Sequence, residues 1–138
     1  MEMNRNSKTP QRTNLRTQKK PVEPPTKLVN LFSSSYDVYI DSHPDFDPRD
    51  VKPGGYGFLG NPFKDGTHQE NLDAYQKYFL HRVTTDRLFY RSVVALYGKK
   101  LGCLGDPSLS HGQIILKWLH KQKVAYEKVF GPFQSKRF

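Results

Sequence analysis

Cysteine is almost missing from this 138-residue chain, where Cys103 stands alone. An internal disulfide framework is thereby excluded, and a reducing compartment is the matching environment. Long apolar runs are also missing, so no membrane span is expected. The basic N-terminus is not followed by an apolar block, so no secretory signal is expected either. Its arginine content would suit an organelle transit segment, but Pro10, Pro21, Pro24 and Pro25 interrupt the amphipathic helix that such a segment forms. The phosphate-cradling GxxxxGK[ST] pattern does not occur. Gly55, Gly57 and Gly60 match GxGxxG, but they follow a loop rather than a strand, and Pro62 stands where a helix would open. A dinucleotide fingerprint is therefore discounted.

Aromatic residues are plentiful, with 8 Tyr, 9 Phe and 1 Trp. Disordered chains lack such residues, so a folded, aromatic-rich core is expected even though only 36% of the chain is hydrophobic. Charge is unevenly spread over a net +9. Residues 1–27 carry seven Lys/Arg against two Glu, residues 28–73 three against eight acids, and residues 74–138 twelve against three. A basic start, an acidic middle and a basic end suit contact with a polyanion or between partners.

Residues 1–26 read as a basic, proline-containing arm without periodicity. An arm of this composition repays its ordering entropy only against a partner surface. Residues 27–130 read as one small α/β domain, a short central sheet flanked by about three helices, and residues 131–138 as an aromatic and basic tail. Strands are predicted over 27–32, 37–40 and 99–104, with the first and last as the central pair. Thr67 and Glu70 form a capping box that opens a helix over 68–81, with Leu72, Tyr75 and Phe79 on one face. A second helix spans 85–97 on the stripe Phe89, Val93, Leu96 and Tyr97. Ser110 and Gln113 offer another capping box, for a helix with Ile114, Ile115, Trp118 and Leu119 on its apolar side. That helix extends toward Phe130 and stops at Gly131-Pro132. Between strand and first helix lies a long segment rich in Pro, Gly and Asp, of a length that usually serves function or interaction.

Candidate site residues follow from chemistry. Cys103 and His111 cannot complete a four-ligand zinc site, so no metal is expected, and Cys103 reads as a buried core thiol. A Cys103–His111 nucleophile pair is the catalytic alternative, without an evident orienting group. Asp41, Asp45, Asp47 and Asp50 read as a solvated acidic loop, because Pro44 and Pro48 break any calcium-loop spacing. The amide of Asn61 suits either a base edge or its own loop backbone. Ser110, His111 and Gly112 form an anion seat if their first-turn amides face outward, and otherwise a plain helix cap. Arg5, Arg12, Arg16, Lys19, Lys20, Lys99, Lys100, Lys117 and Lys121 could contact phosphates, with Phe133 and Phe138 as docking aromatics, although no nucleic-acid-binding motif is present.

The order of several motifs adds a resemblance. Val38-Tyr39-Ile40, then Leu59-Gly60-Asn61-Pro62-Phe63, then Tyr75 and Tyr78, then Gly98-Lys99-Lys100-Leu101-Gly102-Cys103 resemble a domain of unknown function, DUF4326, from about Lys27 to Trp118. The pattern usually closes with Trp-Cys-x-Pro and Cys-His-Gly. Here Leu104-Gly105 and Ser110-His111-Gly112 stand in those places, so of three typical cysteines only Cys103 remains. The resemblance implies a fold and a pocket position but no reaction. The family resembled occurs in bacteria, phages, large DNA viruses and some eukaryotes, and its presence in large viruses tips one expectation toward a virion. On that reading the chain is a non-enzymatic assembly protein of a virion or other intracellular particle, without cofactor, gripping protein subunits or nucleic acid by arm and tail. The alternative is a small nucleotide- or nucleic-acid-processing enzyme, or a nucleotide-binding module, with a pocket near Asn61, Cys103 and His111.

Overall fold

The computed structural model describes residues 25–132. The α/β expectation holds: a short three-stranded sheet, all parallel, packs with four α-helices among the described residues. Strands β1 (Lys27–Asn30), β2 (Val38–Tyr39) and β3 (Lys100–Cys103) stand in the order β1-β3-β2. The last strand is thus central, and β1, expected as its central companion, is an edge. It also ends two residues early. Asn30 turns the chain by accepting from Phe32 N through its side chain and from Ser33 and Ser34 N through its carbonyl. The arm read over 1–26 loses its last residue to the body: Thr26 is buried, and its hydroxyl accepts from Gly98 N at 2.7 Å.

The seven residues between β1 and β2 cross from one side of β3 to the other without a helix. Gly102 makes this possible, because a Cβ there would lie 2.7 Å from the Tyr36 ring. Leu28, Leu101 and Val38 align in register on one sheet face, and Val29, Gly102 and Tyr39 on the other. The first face carries the core.

Helices α1 (His68–Thr85), α2 (Arg87–Val94), α3 (Gly112–Leu119) and α4 (Lys123–Phe130) complete the domain. The Thr67–Glu70 capping box forms as expected, with both reciprocal bonds present. α1 runs four residues beyond the predicted end. Asp86 sets both its end and the start of α2: its amide donates to Arg82 O and its carboxylate accepts from Phe89 N. The predicted α2 stripe is buried throughout. Phe79 lies 5.9 Å from both Phe89 and Trp118, and Phe58 lies 5.8 Å from Phe89, each edge-on. Full burial of such a ring contributes about 1.5–3 kcal/mol.

The third predicted helix does not run on to Phe130. Bonds from Lys121 N to Trp118 O and from Gln122 N to Leu119 O tighten its last turn. From His120 to Lys123 no apolar side chain is available to bury, so the chain turns and restarts as α4, giving four helices where about three were expected. Gly131, at φ +86°, ends α4.

Candidate ligand-binding site

The carboxyl ends of β2 and β3 deliver Asp41 and Cys103 to one side of the sheet. The segment 61–64, the first turn of α1 and the approach to α3 border a cavity of about 370 Å³ around them. Asn61, Lys64, His68, Ser110 and His111 line it together with Asp41 and Cys103. In parallel α/β sheets this is the place where ligands bind.

His111 organises the site. The residue is 6% exposed. Its Nε2 lies 2.9 Å from Ile40 O and 3.0 Å from Leu59 O. Carbonyl oxygens only accept, so Nε2 carries a proton shared between them. Leu59 O also accepts from the Tyr75 hydroxyl at 2.8 Å, and the Tyr75 ring meets the imidazole edge-on at 4.8 Å. Burial pushes the imidazole pKa below its usual value, against the opposing pull of Asp41 and the two carbonyls. The neutral ring therefore points the bare Nδ1 lone pair at Asp41 Oδ1, 3.6 Å away and beyond hydrogen-bond length. The other oxygen of Asp41 accepts from Leu104 N at 2.7 Å, which fixes the carboxylate. Two acceptors thus face each other 3.6 Å apart.

Removing the Tyr75 hydroxyl tests how much this frame depends on Leu59. Tyr75→Phe is expected to cost about 1 kcal/mol, read as a lower midpoint in urea with the slope unchanged. An unaltered midpoint would show that the Leu59 carbonyl needs only His111.

The candidate residues sort clearly. Asn61, Cys103, Ser110 and His111 all line the cavity. Asn61 nevertheless spends its amide on backbone, donating to Asn71 O of α1 at 3.1 Å and accepting from Phe63 N of its own loop at 2.9 Å. Ser110 does not form the expected box with Gln113. Its hydroxyl accepts from Gly112 N at 2.9 Å, while the Gln113 amide group donates to Pro107 O. The Gly112 amide is therefore engaged, not turned outward, and Gly112 itself is packed against Ile40 and Leu28. Cys103 is buried, as expected of a core thiol. Burial raises its pKa, the opposite of what an activated nucleophile needs. Positions 103, 105 and 110, where the resembled pattern carries cysteine, all border the same cavity.

Lys99, Lys100, Lys117 and Lys121 are exposed. Arg5, Arg12, Arg16, Lys19, Lys20, Phe133 and Phe138 lie outside the described residues. Among the described residues no group of three or more His, Cys, Asp or Glu side chains could hold a metal ion, and no helix is long and apolar enough to cross a membrane.

Asp41 was legible only as part of an acidic loop. Its signal was position: it follows directly on a short strand, where a parallel sheet exposes its carboxyl end. Asp45 and Asp50, grouped with it by sequence, are exposed and border no part of this cavity, and Asp47 pairs with Arg49 at 2.7 Å.

A family model described as domain of unknown function, DUF4326, matches residues 14–121. The chain belongs to this family. The DUF4326 match takes in every residue that lines the cavity, begins inside the segment read as an arm, and ends before α4. Comparison of this DUF4326 chain with curated proteins and with solved structures returns no match.

Proposed function

We propose that the domain binds a small polar ligand that donates hydrogen bonds to the facing acceptors Asp41 Oδ1 and His111 Nδ1. One observation carries this reading: a nine-tenths buried imidazole whose Nε2 proton is committed to two carbonyls, leaving a bare nitrogen opposite a fixed carboxylate at the edge of a cavity. A ligand hydroxyl or amine in the cavity can donate to either acceptor. The same pair can take up and return a proton, so acid–base chemistry on that ligand is open to the site.

The test is a ligand-observed NMR screen of small hydroxyl- and amine-bearing compounds against the full chain, with the His111 imidazole nitrogens followed in parallel. Hits are expected to shift the Nδ1 resonance and to bind Asp41→Asn at least tenfold more weakly. Hits that leave the imidazole untouched, or no hits at all, would sink the proposal.

A second reading keeps the chain as a component of a virion or other intracellular particle, in contact with protein subunits or nucleic acid. Exposed Lys99, Lys100, Lys117, Lys121, Lys123 and Lys128 favour it, as does Phe32, 78% exposed. Binding to a nucleic-acid duplex should then weaken steeply with salt, and more so for the full chain than for one starting at Pro25. Equal, salt-insensitive binding by both would reject it.

A further inference from the structure

Leu104, the residue after β3, lines both the His111 cavity and a second one of about 620 Å³. Tyr36, Tyr39, Tyr56 and Phe58 form the aromatic part of the second cavity. Two of these rings face solvent: Tyr36 is 44% and Tyr56 58% exposed. Neither is left loose. Tyr36 lies against Gly102, which has no side chain to displace it. The Tyr39 ring meets Tyr56 edge-on at 5.4 Å, and His43 packs on it at 4.3 Å. Tyr39 in turn is anchored by its hydroxyl, which donates to Ser42 O at 3.0 Å.

Braced aromatic rings exposed within a concavity offer stacking faces to a planar ring. The neighbouring cavity offers two acceptors and asks for donors. A nucleoside carries both features across one short link, with its base to stack and its ribose hydroxyls to donate. The two cavities share Leu104, whose amide donates to Asp41, so they are neighbours across one residue. Their volumes fall within the roughly 300–1,000 Å³ usual for small-molecule sites. We infer that the cavity beside Leu104 bordered by Tyr36, Tyr39 and Tyr56 is a nucleobase slot, and that the ligand of the Asp41–His111 site is a nucleoside whose ribose hydroxyls meet that pair. The inference rests on the proposed function above and names the class of ligand.

The experiment titrates the full chain with adenosine, guanosine, cytidine and uridine, with ribose as the base-free probe and 2′,3′-dideoxyadenosine as the one that lacks the 2′- and 3′-hydroxyls. The ring signals of Tyr36, Tyr56 and His111 are followed by NMR. At least one nucleoside is expected to move all three, with ribose at least tenfold weaker. If adenosine is among the binders, the dideoxy probe is at least tenfold weaker as well. Tyr56→Ala should weaken the nucleoside at least tenfold and leave ribose unchanged, while Tyr56→Phe retains binding. Ribose binding as tightly as the best nucleoside, or tyrosine signals that stay still while His111 responds, overturns the base slot and leaves the Asp41–His111 reading standing. A nucleoside that moves the tyrosines but not His111 overturns the nucleoside assignment of that pair. Silence from all four nucleosides rejects the inference, and the screen described above then decides the broader reading alone.

Discussion

Gly57→Ala is expected to destabilise the domain by roughly 2–5 kcal/mol, combining the cost of a strained backbone with that of a steric clash. The backbone at Gly57 has φ +92°, where L side chains are strained. A Cβ there would lie 2.5 Å from the backbone nitrogen of His43. Backbone cannot rotate aside as a side chain can, so the two limbs of the long loop must separate. These limbs carry Asp41 and His43 on one side and Leu59 on the other, so the frame of His111 is disturbed with them. The expected measurement is a fall in thermal midpoint of at least ~10 °C, since about 1 kcal/mol moves a domain of this size by several degrees. A midpoint within two or three degrees of the wild type, on the order of a surface substitution, would show that the loop limbs are not in contact.

His111→Leu is expected to cost about 2–4 kcal/mol. Much of this is the desolvation of the Ile40 carbonyl once the N–H that meets it is gone, about 1–3 kcal/mol for a buried acceptor. Leu59 O keeps the Tyr75 hydroxyl. His111→Gln should recover part of the loss, because its amide nitrogen reaches as far as Nε2 does. The two variants together separate the hydrogen bond from mere volume.

The glutamine variant also exposes a pH signature. The folded-state pKa of His111 is lowered, chiefly by burial. As pH falls through about 6.5, the unfolded chain takes up the proton first. Stability conferred by neutral His111 is therefore full above about 6.5, and it is lost on acidification until the folded-state pKa is passed. His111→Gln carries no such proton, so its deficit relative to the wild type should shrink between pH 7.5 and 5. Parallel stability curves for the two proteins across that range would contradict the assignment of a neutral, Nε2-protonated ring. The lowered pKa values of Asp47, Asp86 and Asp106 act in a more acidic window, below about pH 4.

Several elements were readable before folding because their causes lie within one helical turn. Thr67 and Glu70 are three residues apart and form the box that their spacing predicts. Phe89, Val93, Leu96 and Tyr97 recur at helical spacing and are buried together. Gly131 stops the last helix where a positive φ is needed. The misreadings have local causes as well. Ser110 satisfies the nearer amide of Gly112, which preempts the box with Gln113. Asp86, the second residue of the predicted second helix, ends the first helix and caps the second at once.

What the chain determined by itself is therefore its helices and their caps, the aromatic side chains that fill the core, the motif order that places it in DUF4326, and the cluster of positions from which a pocket could be built. The tertiary structure alone decided the strand order, the partners of His111 and the role of Asp41. His111 meets carbonyls 71 and 52 residues away, and Asp41 is held by the amide of Leu104, 63 residues along. No periodicity links positions so far apart. Only after β3 inserts between β1 and β2 do a proton donor, two carbonyls and a carboxylate share one small volume, and the chemistry of the imidazole is set by which of its nitrogens those carbonyls reach.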